Sequence, residues 1–201
     1  MPPASAASEE QALIQRLKAR EEAALNLLMS QYGARVYSLA LRMTGSRQDA
    51  EEVLQDVFWA VFEKIGGFRG EAKLSSWIYR IAANAALMKL RKRPKVQDLP
   101  LEEELGPAMN AEGMIAVPVQ DWSRLPDEEL DRKELAGRLM DAIEQLPSDY
   151  KLVFVLRDVE GFSAEEACGI LEISVAALKS RLHRARLFLR KQLADYAMVT
   201  R

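Results

Sequence analysis

The sequence predicts an all-α chain of two small helical domains joined by a flexible acidic linker, and three observations predict it. Apolar residues recur every three or four positions along both ends of the chain, the period of helices buried on one face. Between them, from Val96 to Asp131, the composition shifts to ten acids, one base and four prolines with little periodicity. A structureless segment of that length has no place inside one compact domain, so it reads as a linker between two. Towards the C-terminus, two helical patterns separated by a tight turn read as a helix-turn-helix. With 201 residues and 49% hydrophobic content, the chain can bury two compact helical cores. The expected boundaries are a disordered tail at 1–8, a first domain at 9–95, the linker at 96–129, a second domain at 130–196 and a tail at 197–201.

Composition excludes several classes of function. Net charge is only -2, so nucleic-acid contact must come from local basic patches rather than overall charge. One cysteine, Cys168, excludes an internal disulfide, and with the single histidine, His183, it disfavours a Cys/His metal site. No metal or cofactor is expected. Met1 to Ser8 lacks the basic start and apolar core of a signal peptide, and no apolar run approaches membrane-spanning length. A cytoplasmic protein without direct membrane insertion is the expectation.

From Glu9 to Thr44 the spacing of Leu13, Leu17, Leu25, Leu28, Tyr32, Val36, Leu39 and Met43 predicts helical scaffold, with Gly33 a soft spot. Gly45-Ser46 ends one helix and caps the next, and Asp49 stands near the new N-terminus, where the helix dipole favours a carboxylate. In that next helix Leu54, Phe58, Val61 and Ile65 form a buried stripe, while Asp49, Glu52, Asp56 and Glu63 line another face. The acidic face reads either as a solvated surface or as a docking surface. Trp59 on the outer side is either a contact anchor or a cover packed under the following loop. That loop, Gly66 to Ser75, has three glycines in five residues and carries Phe68, Arg69 and Lys73. An aromatic face with flanking cations suits an unstacked base on single-stranded DNA, at about 1 to 3 kcal/mol per stacked base. The other reading is that Phe68 and Trp77 plug the core, and both are expected to be partly buried. In the next helix Ile78, Ile81, Ala82 and Ala85 face a core, whereas Arg80, Asn84, Leu87 and Arg91 share a second stripe that runs into the basic end Lys89-Leu-Arg-Lys-Arg93.

This run resembles region 2 of the extracytoplasmic-function (group 4) sigma factors of the sigma-70 family, on the residues Asp49-Ala-Glu-Glu52, Gln55-Asp-Val-Phe58, Phe68-Arg-Gly-Glu71 and Trp77-Ile-Tyr-Arg-Ile-Ala-Ala-Asn84. The resemblance implies that Asp49, Glu52, Gln55, Asp56 and Phe58 bind core RNA polymerase at the clamp of its largest subunit. It implies that the Phe68 loop captures a flipped base of the minus-10 element, with Arg69, Lys73, Trp77, Arg80, Asn84, Lys89 and Arg91 as the remaining minus-10 contacts. Melting then rests on binding energy alone, and the sequence holds no phosphate loop.

In the linker Met114-Ile-Ala-Val-Pro-Val119 and Trp122 interrupt the acidic residues with apolar ones. By the resemblance this segment either threads into the polymerase cleft or meets an anti-sigma factor. From Leu130 to Leu146, Leu135, Leu139, Ala142 and Leu146 predict an amphipathic helix; Pro147-Ser-Asp149 starts the next, and Leu152 to Val159 reads as a central core helix. Gly161-Phe-Ser163 caps a helix from Ala164 to Ile170, a turn follows at Leu171-Glu-Ile173, and Ser174 begins the last helix. There Leu178, Leu182, Ala185 and Leu189 face inward, while Ala177, Ser180, Arg181 and Arg184 share a face that a major groove could accept. No acid occurs between Ser174 and Lys191.

Ser163-Ala-Glu-Glu166, Ile173-Ser-Val175 and Leu178-Lys-Ser-Arg-Leu-His-Arg-Ala-Arg186 resemble region 4 of the same family. That implies minus-35 recognition by Ser174, Ala177, Lys179, Ser180, Arg181, His183, Arg184 and Arg186. Three residues depart from the family pattern: Glu172 stands where glycine commonly makes the turn, Ala176-Ala177 replaces Gly-Thr, and Cys168 replaces a small residue as either a buried or a reactive thiol. Glu172 is expected either to sit in an unfavourable backbone conformation or to alter the turn. Together these resemblances imply a non-enzymatic sigma factor that directs core RNA polymerase to promoter DNA in a stress or envelope response and is restrained by an anti-sigma factor. Two other readings are a helix-turn-helix regulator that binds DNA alone, and an enzyme built on the carboxylate pairs Glu51-Glu52 and Glu165-Glu166. Adjacent acids point to different helix faces, which weighs against the enzyme.

Overall fold

The computed structural model describes residues 4–92 and 129–199, with side chains placed over 8–92 and 137–193. All regular structure among the described residues is helical. The chain divides into two compact units, residues 1–94 with the short stretch 169–172, and the remainder. The expected linker at 96–129, with Met114–Val119 and Trp122, lies outside the described residues, except that the first helix of the C-terminal half begins at Glu129.

In the N-terminal half, α1 (Ala4–Lys18) buries Leu13, Ile14 and Leu17. It begins within the stretch expected to be a disordered tail. The helical pattern from Glu9 to Thr44 is divided between two helices, because α1 ends at Lys18 and the chain turns at Arg20, whose φ of 62° is left-handed. There the Arg20 N–H donates to Leu17 O at 3.0 Å and the Glu21 N–H to Arg16 O at 3.1 Å, the paired bonds of a Schellman ending. A non-glycine residue there is strained by roughly 1–2 kcal/mol. The Arg20 guanidinium sits 4.2 Å from the centroid of the Phe62 ring, and such a contact offsets part of that strain.

Helix α2 (Glu22–Thr44) runs unbroken through Gly33 and ends at Gly45, φ 65°, whose N–H donates to Leu41 O at 2.8 Å. Ser46 then caps α3 (Arg47–Lys64), its hydroxyl accepting from the Asp49 N–H at 3.3 Å. A short 3-10 turn, Ile65–Gly67, leads through the loop to α4 (Leu74–Arg91). Helices α2, α3 and α4 pack on one another around Leu28, Val36, Leu39, Met43, Val57, Val61, Ile78 and Tyr79, and α1 lies against α2 and the 3-10 turn. The inward stripe of α3 is Ala50, Val53, Val57, Phe58 and Val61, so Leu54, expected inside, is only half-buried. In α4 the core side is Leu74, Ile78, Tyr79, Ala82, Ala83 and Ala86, which leaves Ile81 and Ala85 at its margin.

In the C-terminal half, α5 (Glu129–Gln145) and α6 (Ser148–Phe154) precede a π-helical stretch, Val155–Val159, followed by α7 (Ala164–Leu171) and α8 (Val175–Val199). Helix α8 runs three residues into the expected C-terminal tail, ending at Val199. Ala142 and Ile143 of α5 and Leu146 just after it join Ala185, Phe188 and Leu189 of α8 in one core, with Leu139, Tyr150 and Phe154 packed against it. Leu135 lies where side chains are not described. Lys151 is buried at 6% exposure, and its Nζ donates to Glu144 O at 3.1 Å near the carbonyl end of α5, where a cation complements the helix dipole.

Candidate functional site

The outward face of α3 carries Glu52, Gln55, Asp56, Trp59 and Glu63, all exposed. Trp59 is 64% exposed with its ring centroid 6.3 Å from that of Phe62, so it stands on the surface and does not pack under the loop. Phe58, expected among the polymerase contacts, is a core side chain at 6% exposure, because the i, i+3, i+4 stripe that buries Val57 and Val61 takes it inward too. Asp49 is half-buried. It and Glu52 both reach Lys89 of α4: the Lys89 amine lies 3.2 Å from Asp49 and donates to Glu52. Lys89, expected among the minus-10 contacts, has these carboxylates as its partners within the protein. Its amine is engaged by α3 carboxylates, and the Glu52 hydrogen bond, with Asp49 beside it, raises its pKa.

The loop after the 3-10 turn bends at Gly70, φ 76°, and exposes Arg69, Gly70, Glu71, Ala72 and Lys73. Phe68 does not share that exposure. At 8% it is buried, its ring centroid 5.0 Å from that of Trp77 with the planes tilted by 43°. Of the two readings, the resting structure has the aromatics packed on each other: they meet in the tilted arrangement that ring quadrupoles favour. Trp77 is half-buried, as is Arg80, while Asn84 and Arg91 are exposed on α4. Two contacts that sequence reading did not anticipate fix the ends of the loop. Lys18 Nζ donates to Phe68 O at 2.8 Å, and the Leu74 N–H donates to the Glu10 carboxylate at 3.3 Å.

The helix-turn-helix is set by its caps. The Glu166 N–H donates to the Ser163 hydroxyl at 3.1 Å and the Ser163 N–H returns to the Glu166 carboxylate at 3.0 Å, a reciprocal capping box that starts α7. Glu165 accepts from the Ser163 hydroxyl at 2.9 Å. Its own backbone N–H, then that hydroxyl, holds its carboxyl below the usual range. Both acids of that pair therefore serve the helix start. Glu172 occupies the left-handed region at φ 56°, the strained alternative expected from its place in the turn, and the Ile173 N–H closes the end of α7 on Cys168 O at 3.3 Å. Cys168 is a half-buried free thiol. Ser174 caps α8 through its hydroxyl, which accepts from the Ala177 N–H at 3.2 Å.

On α8 Lys179 is exposed, and Ala177, Ser180, Arg181 and Arg184 are half-exposed on a common face. Arg181 lies 3.6 Å from Asp149 at the start of α6. Of the other residues expected on the DNA side, His183 is buried and Arg186 is exposed with its guanidinium paired. His183 is buried at 7% exposure, and burial, with Arg190, Arg186 and Arg184 around it, lowers its pKa. Arg186 forms a bidentate pair with Asp158, at 2.8 Å from Nε and 2.7 Å from the terminal nitrogen, which raises its pKa. The fork braces α8 against the end of the π-helical stretch.

The comparisons follow the same division. The family model for Sigma-70 region 2 matches residues 28–95, and that for Sigma-70, region 4 matches 136–189. The chain is 34% identical to the ECF RNA polymerase sigma-E factor of Haemophilus influenzae over 180 residues, covering 88% of this chain and 91% of that one. It is also 34% identical to the ECF RNA polymerase sigma factor SigW of Bacillus subtilis, over 90% of this chain and 95% of that one. Among solved structures it superposes on CnrH, in complex with the cytosolic domain of CnrY, with a TM-score of 0.65 at 22% identity, over 92% of this chain and 97% of that one. The sigma factor RpoE of Bartonella quintana, in complex with the anti-sigma factor NepR, gives a TM-score of 0.58 at 21% identity over 84% of this chain and 96% of that one.

Proposed function

The chain belongs to the extracytoplasmic-function sigma factors of the sigma-70 family, and on that premise we propose how its faces divide the work of starting transcription. As a sigma factor it directs RNA polymerase to promoters. Residues Glu52, Gln55, Asp56 and Trp59 of α3 dock on the basic clamp of the polymerase's largest subunit. Arg69 and Lys73 of the loop, with Asn84 and Arg91 of α4, take the melted minus-10 strand. Lys179, Ser180, Arg181 and Arg184 of α8 read the minus-35 duplex. Phe68 would join the strand contacts only by leaving its place against Trp77.

The observation that carries this reading is the α3 face, where exposed acids and an amide surround a solvent-facing tryptophan. An exposed aromatic that a partner can bury, ringed by charge, is the composition of a binding hot spot, and clamp cations complement the carboxylates. Opening of the duplex requires only that the separated strands bind better than the paired ones, so the protein works by binding energy rather than catalysis. Two structural neighbours are complexes with a partner chain, in one case an anti-sigma factor, and an inhibitor covering the same faces is the partner we assign here. No described helix is long and apolar enough to cross a membrane, and we place the protein in the cytoplasm, where the polymerase is. A regulator that binds DNA alone would leave the α3 face without a task.

The test is core binding by the full chain, measured for wild type and for Glu52→Lys with Asp56→Lys. Reversing two interfacial carboxylates should weaken binding by about tenfold or more at low salt. Unchanged affinity would reject the docking face.

A further inference from the structure

We propose that α1 is a positioning element for the strand-binding loop, acting through Lys18 and Glu10 to fix the shape in which residues 69–73 meet melted DNA. The inference rests on the reading of that loop as a minus-10 contact. The matched Sigma-70 region 2 begins at residue 28, so α1 lies outside it.

The geometry is a two-point clamp. Lys18 Nζ donates to Phe68 O at 2.8 Å on the incoming side, and the Glu10 carboxylate accepts the Leu74 N–H at 3.3 Å on the outgoing side. Between them stand the exposed residues Arg69 to Lys73, bent at Gly70. Both clamp residues are held in place from below. Leu13, Ile14 and Leu17 bury the same side of α1, and α1 packs against the 3-10 turn that feeds the loop. The Leu74 N–H is one of the unpaired donors at the start of α4, where Lys73 gives no side-chain cap, so Glu10 supplies from a distant helix what a local cap supplies elsewhere. A loop of this glycine content loses much conformational freedom when it orders on DNA. Fixing its ends beforehand removes part of that loss and is worth binding strength without any new contact.

The experiment uses the full chain with core polymerase on a supercoiled promoter, and on the same promoter carrying a non-complementary, pre-opened minus-10 segment. Lys18→Met keeps the apolar stem and removes the donor, Glu10→Leu removes the acceptor, and Glu10→Gln keeps an oxygen for the Leu74 N–H. Arg69→Ala serves as the loop reference. Lys18→Met and Glu10→Leu should each reduce open-complex formation on the supercoiled template by about threefold to tenfold, the worth of one hydrogen bond. The deficit should shrink on the pre-opened template, and Glu10→Gln should restore initiation. Equal losses on both templates, in step with falling core affinity, would reduce α1 to general support of the fold and overturn the proposal. No loss from the clamp variants while Arg69→Ala is defective would overturn the clamp alone. No loss from Arg69→Ala either would overturn the strand-binding loop, and the clamp with it.

Discussion

Replacing Phe68 by alanine removes a side chain that sits at 8% exposure with its ring 5.0 Å from that of Trp77, so the first consequence is structural. Truncating a buried phenylalanine costs roughly 3–5 kcal/mol, part of it the loss of the ring pair. A loop at the edge of the bundle can relax into some of the vacated space, which favours the lower end, about 3 kcal/mol. Against a domain stability of roughly 5–15 kcal/mol, the N-terminal unit remains folded but loses a large share of its margin. Urea unfolding followed by tryptophan fluorescence reports this directly, because Trp77 touches the altered site. With a slope of about 2 kcal/mol per molar, the midpoint should fall by roughly 1.5 M. Phe68→Leu, which keeps most of the apolar volume, should cost under about 1.5 kcal/mol. A Phe68→Ala midpoint within about 0.3 M of wild type would refute the placement of the ring in the core, on the same scale. If initiation then failed in that stable variant, the ring would have to act on DNA directly.

Other outcomes follow from single features. Glu172→Gly relieves left-handed strain of roughly 1–2 kcal/mol and adds part of that back as unfolded-state freedom, so amide exchange in α7 should slow by the equivalent of about 0.5–1 kcal/mol. Gly33→Ala, where an added Cβ meets nothing within 4 Å, should stabilise the N-terminal unit by about 0.5–1 kcal/mol in the same urea assay. Lys179→Ala should weaken minus-35 duplex binding and reduce the slope of log affinity against log salt by about 1, whereas Arg186→Ala, whose guanidinium is held by Asp158, should leave that slope unchanged and lower thermal stability. His183 has a folded pKa below its unfolded value of about 6.5, so the unfolded chain takes up the proton first as pH falls. Its contribution is complete above that value and declines below it; pairing wild type with His183→Gln in denaturation at successive pH values should show a steeper acid loss for wild type.

Much of the fold was legible because helical periodicity and caps are local. The stops at Gly45-Ser46 and the Ser163 start of α7 follow from residue types within a few positions, whereas the turn at Glu172 stood out only against the family pattern, as either strained or altered. The break at Arg20 was hidden, since its left-handed residue is neither glycine nor asparagine and is supported by Phe62, far along the chain. The α4 core face was displaced from its expected register because small alanines give a weak stripe, and Tyr79, fully buried, carries a polar atom that argues for the outside. At the candidate site the exposed acids of α3 and the common face of α8 followed from spacing, and Gln55 of α3 from the family resemblance. What spacing could not give was competition for side chains. Lys89, Arg186 and Arg181 meet carboxylates on other helices, His183 turns inward beside Leu182, and Phe68 finds Trp77. Glu10 and Lys18 bind backbone groups 64 and 50 residues away, with no sequence signature for either contact.

The most direct measurement is run-off transcription from a library of supercoiled promoters by core RNA polymerase, with and without this protein, alongside the Glu52→Lys, Asp56→Lys variant. Specific starts should appear only with the wild-type chain and fall with the variant. Absence of any protein-dependent start, in a preparation that still binds duplex DNA without polymerase, would contradict it and leave a regulator that acts on DNA alone.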